Sequence, residues 1–264
     1  MYQNYLNYIK DIDRDNIKTI NFKSNKDYNG ILEHVSYELG LKYLNLIENE
    51  FSTIDVKNIT EFIHINDFYG NPIKHTYNFK NNTLFCSPTS LRYIYHSLII
   101  LEHYKNTECK NIVEVGCGYG GLCLAINYFS KLLHIDIINY NIIDFTEACN
   151  LIQCYLDINK NNIHTNVSTY PCDLFGEQIT DNNLFFISNY CYTEISESLN
   201  SSYSKILLPK TTNGFIIWQN GGNKGSYPIE KVKEITGKTP TKIIEEKPQT
   251  DSGYGIFKNY FVYF

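Results

Sequence analysis

The chain has no Cys-x-x-Cys pair, no histidine and cysteine cluster at zinc spacing, no apolar run of membrane-spanning length and no excess of positive charge. Each absence removes a class of function. Without paired cysteines at metal spacing, the eight cysteines read as reduced, mostly buried thiols and not as a disulfide framework or a zinc site. Without the ~20 consecutive apolar residues a bilayer requires, no segment is expected to span a membrane. A formal charge of −5 and a pI near 5.8 leave no electrostatic footprint for polyanions, so nucleic acid as a bulk partner is disfavoured. Residues 1–14 lack the basic-then-apolar order of a secretory signal, and a soluble, cytoplasmic protein is expected. No acidic cluster such as Asp-x-Asp stands near a candidate strand end, so metal independence is expected.

What is present is concentrated in one stretch. Asn111 to Gly121 reads as a buried strand, Ile112–Val115, breaking into a glycine turn that opens a helix over Leu122–Leu132. Gly116, Gly118 and Gly120 stand where a side chain would block a positive φ or the approach of a ligand to bare backbone, with Tyr119 between them. The first amides of the following helix point at that ligand. Glu114 sharpens the reading: its carboxylate repels a pyrophosphate but attracts the ammonium and sulfonium of S-adenosylmethionine. Cys117 lies in the same loop, either as a cofactor contact or as a small residue that a tight turn tolerates. Gly116, Gly118 and Gly121 also satisfy the dinucleotide spacing Gly-x-Gly-x-x-Gly, so a nicotinamide or flavin cofactor, or a turn with no ligand, stays open. Dinucleotide folds usually begin at their glycine turn, whereas about a hundred residues precede this one, which suits a fold with an N-terminal cap.

Residues 1–86 carry a mixed pattern. Val35, Leu39, Leu41, Leu44 and Ile47 suggest a helix over Glu33–Glu50, followed by shorter polar and aromatic pieces, and the whole reads as a cap or lid. Ser87 and Pro88 mark a helix start, and Leu91, Ile94, Tyr95, Leu98 and Leu101 form one face of a helix ending near Tyr104. Thereafter strands and helices alternate. Tyr140–Ile143 ends at Asp144, a helix covers Thr146–Leu156, and a weaker strand lies within Thr165–Tyr170. Leu184–Ser188 and Phe215–Trp218 follow, then Thr241–Glu245 and Lys258–Tyr263 around a turn region at Gly253 and Gly255. Short apolar runs without alternation mean that both sheet faces are covered. The expectation is an α/β fold, a doubly wound, mostly parallel Rossmann-like sheet at residues 87–264 behind a mixed, helical cap at 1–86.

Candidate site residues follow from the strand ends. Asp144 is placed to accept hydrogen bonds from both ribose hydroxyls of a nucleoside. Asp136 is its rival if the second strand is instead Leu132–Ile135, but Asn141–Asp144 has the cleaner strand end. Asp173 suits the exocyclic amine of adenine, with Leu174 and Phe145 as apolar faces for the ring, or is an ordinary acid at a helix start. Ser188 to Glu194 follows the fourth strand, where the chemistry of open α/β sheets sits; Asn189 is assigned to the cofactor and Tyr192 to the acceptor. Asn189-x-x-Tyr192 is similar to the Asn-Pro-Pro-Tyr motif of amino-directed methyltransferases, with both prolines missing. Trp218, Asn220 and the Gly221-Gly222 turn follow the fifth strand, where an aromatic face and an amide suit a sugar; Trp218 suits the core as well.

Taken together, Ser87 to Tyr93, Val113 to Gly121, Asn141 to Asp144 with Gln153 and Tyr155-Leu156, and Ile187 to Glu194 resemble the sugar O-methyltransferase family of polysaccharide-modifying gene clusters. The likeness runs from Asn66-Asp67, with Gly70 and Pro72, to about residue 220. It implies a class I methyltransferase sheet, S-adenosylmethionine as donor and a sugar hydroxyl, of a nucleotide sugar or a glycan, as acceptor. On that reading Glu194 is the first candidate base and His96 a reserve; Glu194 alternatively caps the next helix and His96 is structural. Arg92 and Tyr93 are assigned to the donor, Arg92 pairing with its carboxylate or bracing the cap. The 23 tyrosines and 15 phenylalanines fit a sugar cleft or a homodimer surface equally well. The alternative of a different class is a scaffold that binds the cofactor without catalysis.

Overall fold

The computed structural model describes residues 2–220, 227–250 and 258–264; the expected turns at Gly221-Gly222 and at Gly253 and Gly255 lie outside the described residues. The chain forms two compact units that alternate along the sequence. Residues 1–101, 118–134 and 150–164 make the first, and 102–117, 135–149 and 165–264 the second.

The first unit opens with α1 (Tyr2–Ile9), α2 (Lys26–Asn29), α3 (Tyr37–Glu50) and α4 (Val56–Asn66), followed by a hairpin of β1 (His75–Phe79) and β2 (Asn82–Cys86). Lys80 and Asn81 join the strands with φ of 47° and 62°, a two-residue turn whose twist suits an antiparallel pair. α3 begins at Tyr37 and not at Glu33, because Ser36 Oγ accepts from the Leu39 amide and caps the helix there. α5 (Pro88–Tyr104) starts where Ser87-Pro88 predicts, with the Thr89 amide donating to Ser87 Oγ at 3.2 Å. α6 (Gly121–Leu132) and the latter part of α7 (Thr146–Ile158) complete the unit, so the boundary expected at residue 86 falls within it.

A buried polar hub holds this unit together. Lys23 is fully buried, donates from Nζ to the Asn66 carbonyl at 2.5 Å, and lies 4.2 Å from the Tyr119 ring centroid and 4.9 Å from that of Tyr155. Asp67 accepts from the Ser87 amide at 2.7 Å and from Ser90 Oγ at 2.6 Å, while Asn66 Nδ2 donates to Ser90 Oγ at 2.7 Å. Gly70 takes φ +83, where a Cβ would lie 2.7 Å from Lys23 Cγ. Asn66, Asp67, Gly70, Ser87 and Ser90 all belong to the runs that carry the family resemblance, and here they pack the first unit.

The second unit is built on a sheet with the order β5-β4-β3-β6-β7-β9-β8 among the described residues. Its strands are β3 (Asn111–Val115), β4 (Asn139–Asp144), β5 (Asn166–Pro171), β6 (Leu184–Asn189), β7 (Thr211–Gln219), β8 (Lys242–Glu245) and β9 (Asn259–Tyr263). β3 to β7 are parallel neighbours, and β9 runs antiparallel to β7 and β8. The chain moves outward from β3 through β4 to β5, then returns to pair β6 with the other edge of β3, which makes a topological switch point at β3 and β6. This is a doubly wound, mostly parallel, Rossmann-like sheet.

β6 is buried on both faces, as its uninterrupted apolar run predicts. Leu184 and Phe186 join a core with Tyr203 of α8 (Glu197–Ile206) and with Val232 and Ile235 of α9 (Val232–Thr236), whereas Phe185 meets Tyr104 edge-on at 5.2 Å. The alternative second strand at Leu132–Ile135 is not formed, and Asp136 is an exposed connection residue paired with Lys110 at 3.5 Å. All eight cysteines are free thiols, most of them buried. Among the described residues no helix is long and apolar enough to cross a membrane.

Candidate active site

β3 is followed by Gly116, whose amide donates to the Ile143 carbonyl at 3.0 Å and whose φ is +81. Gly118 and Gly120 follow with φ of +66 and +96, and Gly120 is the N-cap of α6. An L side chain costs about 1–2 kcal/mol at such a backbone, so the turn requires its glycines. The space above them is not vacant, however. A Cβ on Gly116 would fall on Cys191 Cβ and lie 2.5 Å from its Sγ, while one on Gly118 would lie 3.2 Å from Leu32 Cδ2. Close approach of the protein's own side chains, and not only of a ligand, therefore accounts for these two glycines.

Glu114 is buried within β3, and Tyr140 donates its hydroxyl to Glu114 Oε2 at 2.7 Å. Burial pushes its carboxyl up to about 7, hydrogen bonds from Cys117 and Tyr140 pull the other way, and the nearby Asp144 charge adds to the rise. Glu114 thus braces the glycine turn from inside the sheet, where direct pairing with a cationic ligand was expected. Asp144 ends β4 with Oδ2 accepting from the Cys117 amide at 2.9 Å and Oδ1 from the Phe145 amide at 2.8 Å. An ionised carboxylate has about four acceptor positions, so these bonds are compatible with a ribose as well.

Asp144 pairs with Pro171, so Phe145 and the short turn Cys172–Leu174 leave the sheet from neighbouring strand ends. Asp173 is exposed, and the apolar Phe145 and Leu174 are 38% and 37% exposed. Carboxylates beside uncovered apolar side chains at one sheet edge fit a nucleoside, whose sugar is polar and whose base is flat and apolar.

The turn after β6 is pinned to the same edge. Ser188 Oγ donates to the Val115 carbonyl at 2.9 Å and accepts from the Tyr192 amide at 3.0 Å. Tyr190 holds φ +65, a strained position for a bulky residue, and its hydroxyl donates to Glu246. Glu246 is buried and also accepts from the Thr250 amide and hydroxyl and from Asn259 Nδ2; burial raises its pKa and these bonds oppose the rise. The sequence places Tyr190 and Cys191 within the run beyond β6 but gives neither the Tyr190–Glu246 bond nor the approach of Cys191 to Gly116, because those pairings are remote in sequence. Glu194 is exposed in this turn, and its amide donates to the Cys191 carbonyl at 2.9 Å. Ser196, and not Glu194, is the N-cap of α8.

The remaining predicted site residues sit elsewhere. Tyr192 is fully buried, edge-on to Phe186 at 5.7 Å, which corrects its assignment as an acceptor contact. Trp218 is likewise fully buried and donates from Nε1 to the Tyr227 carbonyl at 2.8 Å, in line with the core alternative. Asn220 Oδ1 accepts from the Ile229 amide at 2.8 Å. In the first unit, Arg92 Nη2 donates to the Leu32 carbonyl at 2.9 Å, the bracing role weighed for it, and Tyr93 packs edge-on to Tyr119 at 5.8 Å. His96 is buried against Tyr43; desolvation and the Arg92 charge hold its pKa well below the usual value, which suits a structural histidine and not a base open to substrate. Among the described residues no group of three metal-ligating side chains is placed to hold an ion.

No protein-family model matches the chain. It is similar to a release factor glutamine methyltransferase of Clostridium botulinum (strain Hall), with 28% identity over 192 residues, 69% of this chain and 58% of the relative. The chain therefore spans less than two thirds of that curated relative's length. Among solved structures it is similar to the N-terminal domain of EvdMO1, determined in the presence of SAH and D-fucose, at TM-score 0.48 and 8% identity, covering 80% of this chain and 96% of that one. It is also similar to a SAM-dependent methyltransferase from Aquifex aeolicus, at TM-score 0.43 and 18% identity, covering 63% of this chain and 87% of that one.

Proposed function

We propose that the chain is a class I S-adenosylmethionine-dependent methyltransferase that modifies a sugar hydroxyl in glycan biosynthesis. The observation that carries the donor reading is the convergence of the glycine turn, Asp144 and the turn after β6 at the switch point of the sheet. Similarity to a curated methyltransferase supports it. The bound donor would supply a methyl group activated by a sulfonium.

The chain's residues would then bind and align. Asp144 accepts from the ribose hydroxyls, Phe145 and Leu174 flank the base, and Asp173 accepts from its amine. Asn189 borders the donor, while Glu114 and the Cys117 amide keep the turn in shape. Glu194, exposed beyond β6, takes the proton that the acceptor hydroxyl loses as its oxygen is methylated. Because charge is lost as the reaction proceeds, rate depends mainly on alignment and on this proton transfer.

The sugar acceptor rests on the motif resemblance. A second reading, methylation of an amide nitrogen, is favoured by the similarity to a glutamine methyltransferase. The turn after β6 speaks against it, since Asn189 to Tyr192 has neither proline of the amino-directed motif and the Tyr192 ring is in the core. Calorimetric titration with S-adenosylhomocysteine, with NAD⁺ as control, tests the donor reading. Micromolar binding of the first alone, lost in Gly118→Val and Asp144→Ala, is expected; tight binding of NAD⁺ or of neither ligand overturns it.

A further inference from the structure

The first unit contains a cavity of about 280 Å³ whose lining includes Asn29, Glu33, His34 and His75 with the apolar Ile73 and Pro88. Nothing in the proposed donor chemistry uses these residues. We infer that this cavity binds one uncharged pyranose ring, whose hydroxyls bond to Glu33 and His34 and whose C–H face lies against Ile73 and Pro88. The inference rests on the sugar-acceptor reading and narrows the acceptor's chemistry.

Glu33 carries the argument. It is only 8% exposed, its Oε2 accepts from Ser87 Oγ at 3.3 Å, and the Thr89 side chain makes a weaker hydrogen bond to the carboxylate. Its buried Oε1 has no hydrogen bond of ordinary geometry. A buried carboxylate oxygen in that condition, on the wall of a cavity, calls for a hydrogen-bond donor from a ligand. The donor's charge follows from the surroundings. Lys23 and Arg92 already act on Glu33, so a cationic ligand would meet their repulsion, and an anionic one would meet that of Glu33 itself. An uncharged hydroxyl meets neither.

The neighbouring groups fit a polyol. His34 is exposed and has a ring nitrogen bonded to the Ile31 backbone; partial desolvation of the ring and the Arg92 charge both lower its pKa. It is therefore neutral near pH 7 and offers its second nitrogen as an acceptor. Asn29 spends its amide nitrogen on the Lys23 and Glu33 carbonyls, at 3.4 and 3.1 Å, which leaves Oδ1 as its ligand-binding atom. A lining that combines acceptors with apolar groups matches a sugar ring, which has hydroxyls at its rim and a C–H face. The volume lies just below the ~300 Å³ at which drug-sized pockets begin, enough for one ring. Leu32, which lies against Gly118, is the immediate chain neighbour of Glu33.

The test is a saturation-transfer NMR titration of the full chain, saturated with S-adenosylhomocysteine, against methyl glucopyranoside, galactopyranoside and mannopyranoside. At least one should bind, with Kd raised fivefold or more in Glu33→Gln and tenfold or more in Ile73→Trp. Ile73 is 57% exposed, so its replacement fills the cavity with little change to the core, and unchanged S-adenosylhomocysteine affinity checks that each variant is folded. Pyranoside binding that is unaltered in both variants overturns the cavity assignment and leaves the sugar reading standing. A wild-type chain that binds S-adenosylhomocysteine but none of the pyranosides overturns both, and tighter binding of glucuronate than of the methyl pyranosides overturns the uncharged class.

Discussion

Gly116→Ala puts a methyl group on a backbone at φ +81 and drives it into the Cys191 side chain. The left-handed backbone alone costs about 1–2 kcal/mol for an L residue. Forcing a methyl against the partly buried Cys191 side chain adds about 1–3 kcal/mol of overpacking, for a total of about 2–5 kcal/mol. With a urea slope of about 3 kcal/mol/M the unfolding midpoint should fall by about 1 M. Trp218 makes the assay specific, because it is the sole tryptophan, is fully buried and belongs to the core of the second unit. Cys191→Gly removes both colliding atoms, so the double variant should regain the overpacking share but not the backbone share. A double-mutant cycle should therefore show a coupling of about 1–3 kcal/mol. A midpoint for Gly116→Ala within error of wild type, or strictly additive costs with Cys191→Gly, would refute the assignment of Cys191 as the group that restricts position 116.

Glu114 should leave a pH signature. Burial raises its pKa from 4.5 to about 7, so its contribution to stability is fully present below 4.5 and is lost as pH rises through 7, a change of up to about 3 kcal/mol. Glu114→Gln should remove that decline from urea stabilities measured between pH 5 and 8, and an identical slope in the variant would argue that Glu114 does not titrate there. Tyr190→Phe deletes the bond to buried Glu246 and should cost about 1–3 kcal/mol, read as a lower urea midpoint; a neutral outcome would mean that this bond does not hold the strained turn. Lys23→Met removes the largest counter-charge of buried Asp67 and Glu33 and should cost about 3–5 kcal/mol in a thermal or urea melt. Glu194→Gln should lower kcat by about 10²–10⁴-fold at unchanged S-adenosylhomocysteine affinity, whereas near wild-type turnover would remove Glu194 as the base.

Legibility in the sequence followed how local each determinant is. β3, β4, β6 and β7 were readable because strands buried on both faces leave continuous apolar runs, and α5 because Ser87-Pro88 caps its own start. α8 is rich in serine and asparagine, and the β1–β2 hairpin exposes alternate residues, so neither stands out without the partner against which it packs. α3 was placed a turn too early because periodicity continued through Glu33 to Val35, while the Ser36 cap and the burial of Glu33 moved those residues into a loop. Around the candidate site, the position of Asp144 at the end of β4 is legible from that strand alone. Tyr192 and Trp218 were misjudged or left open because the residues just beyond a strand have no periodicity to show which of them turn inward.

By itself the sequence determined the order of β3, β4, β6 and β7 and the start of α5, the glycine positions at which the backbone must take positive φ, and the acid that closes β4. These are demands a few adjacent residues make on their own backbone. Only the tertiary structure decided that Gly116 yields to Cys191, that Glu246 restrains Tyr190, that Tyr192 and His96 are interior, and that Glu33 is left with an unmatched oxygen in a cavity. Burial and desolvation depend on neighbours brought together from distant parts of the chain, and no local pattern encodes who those neighbours are.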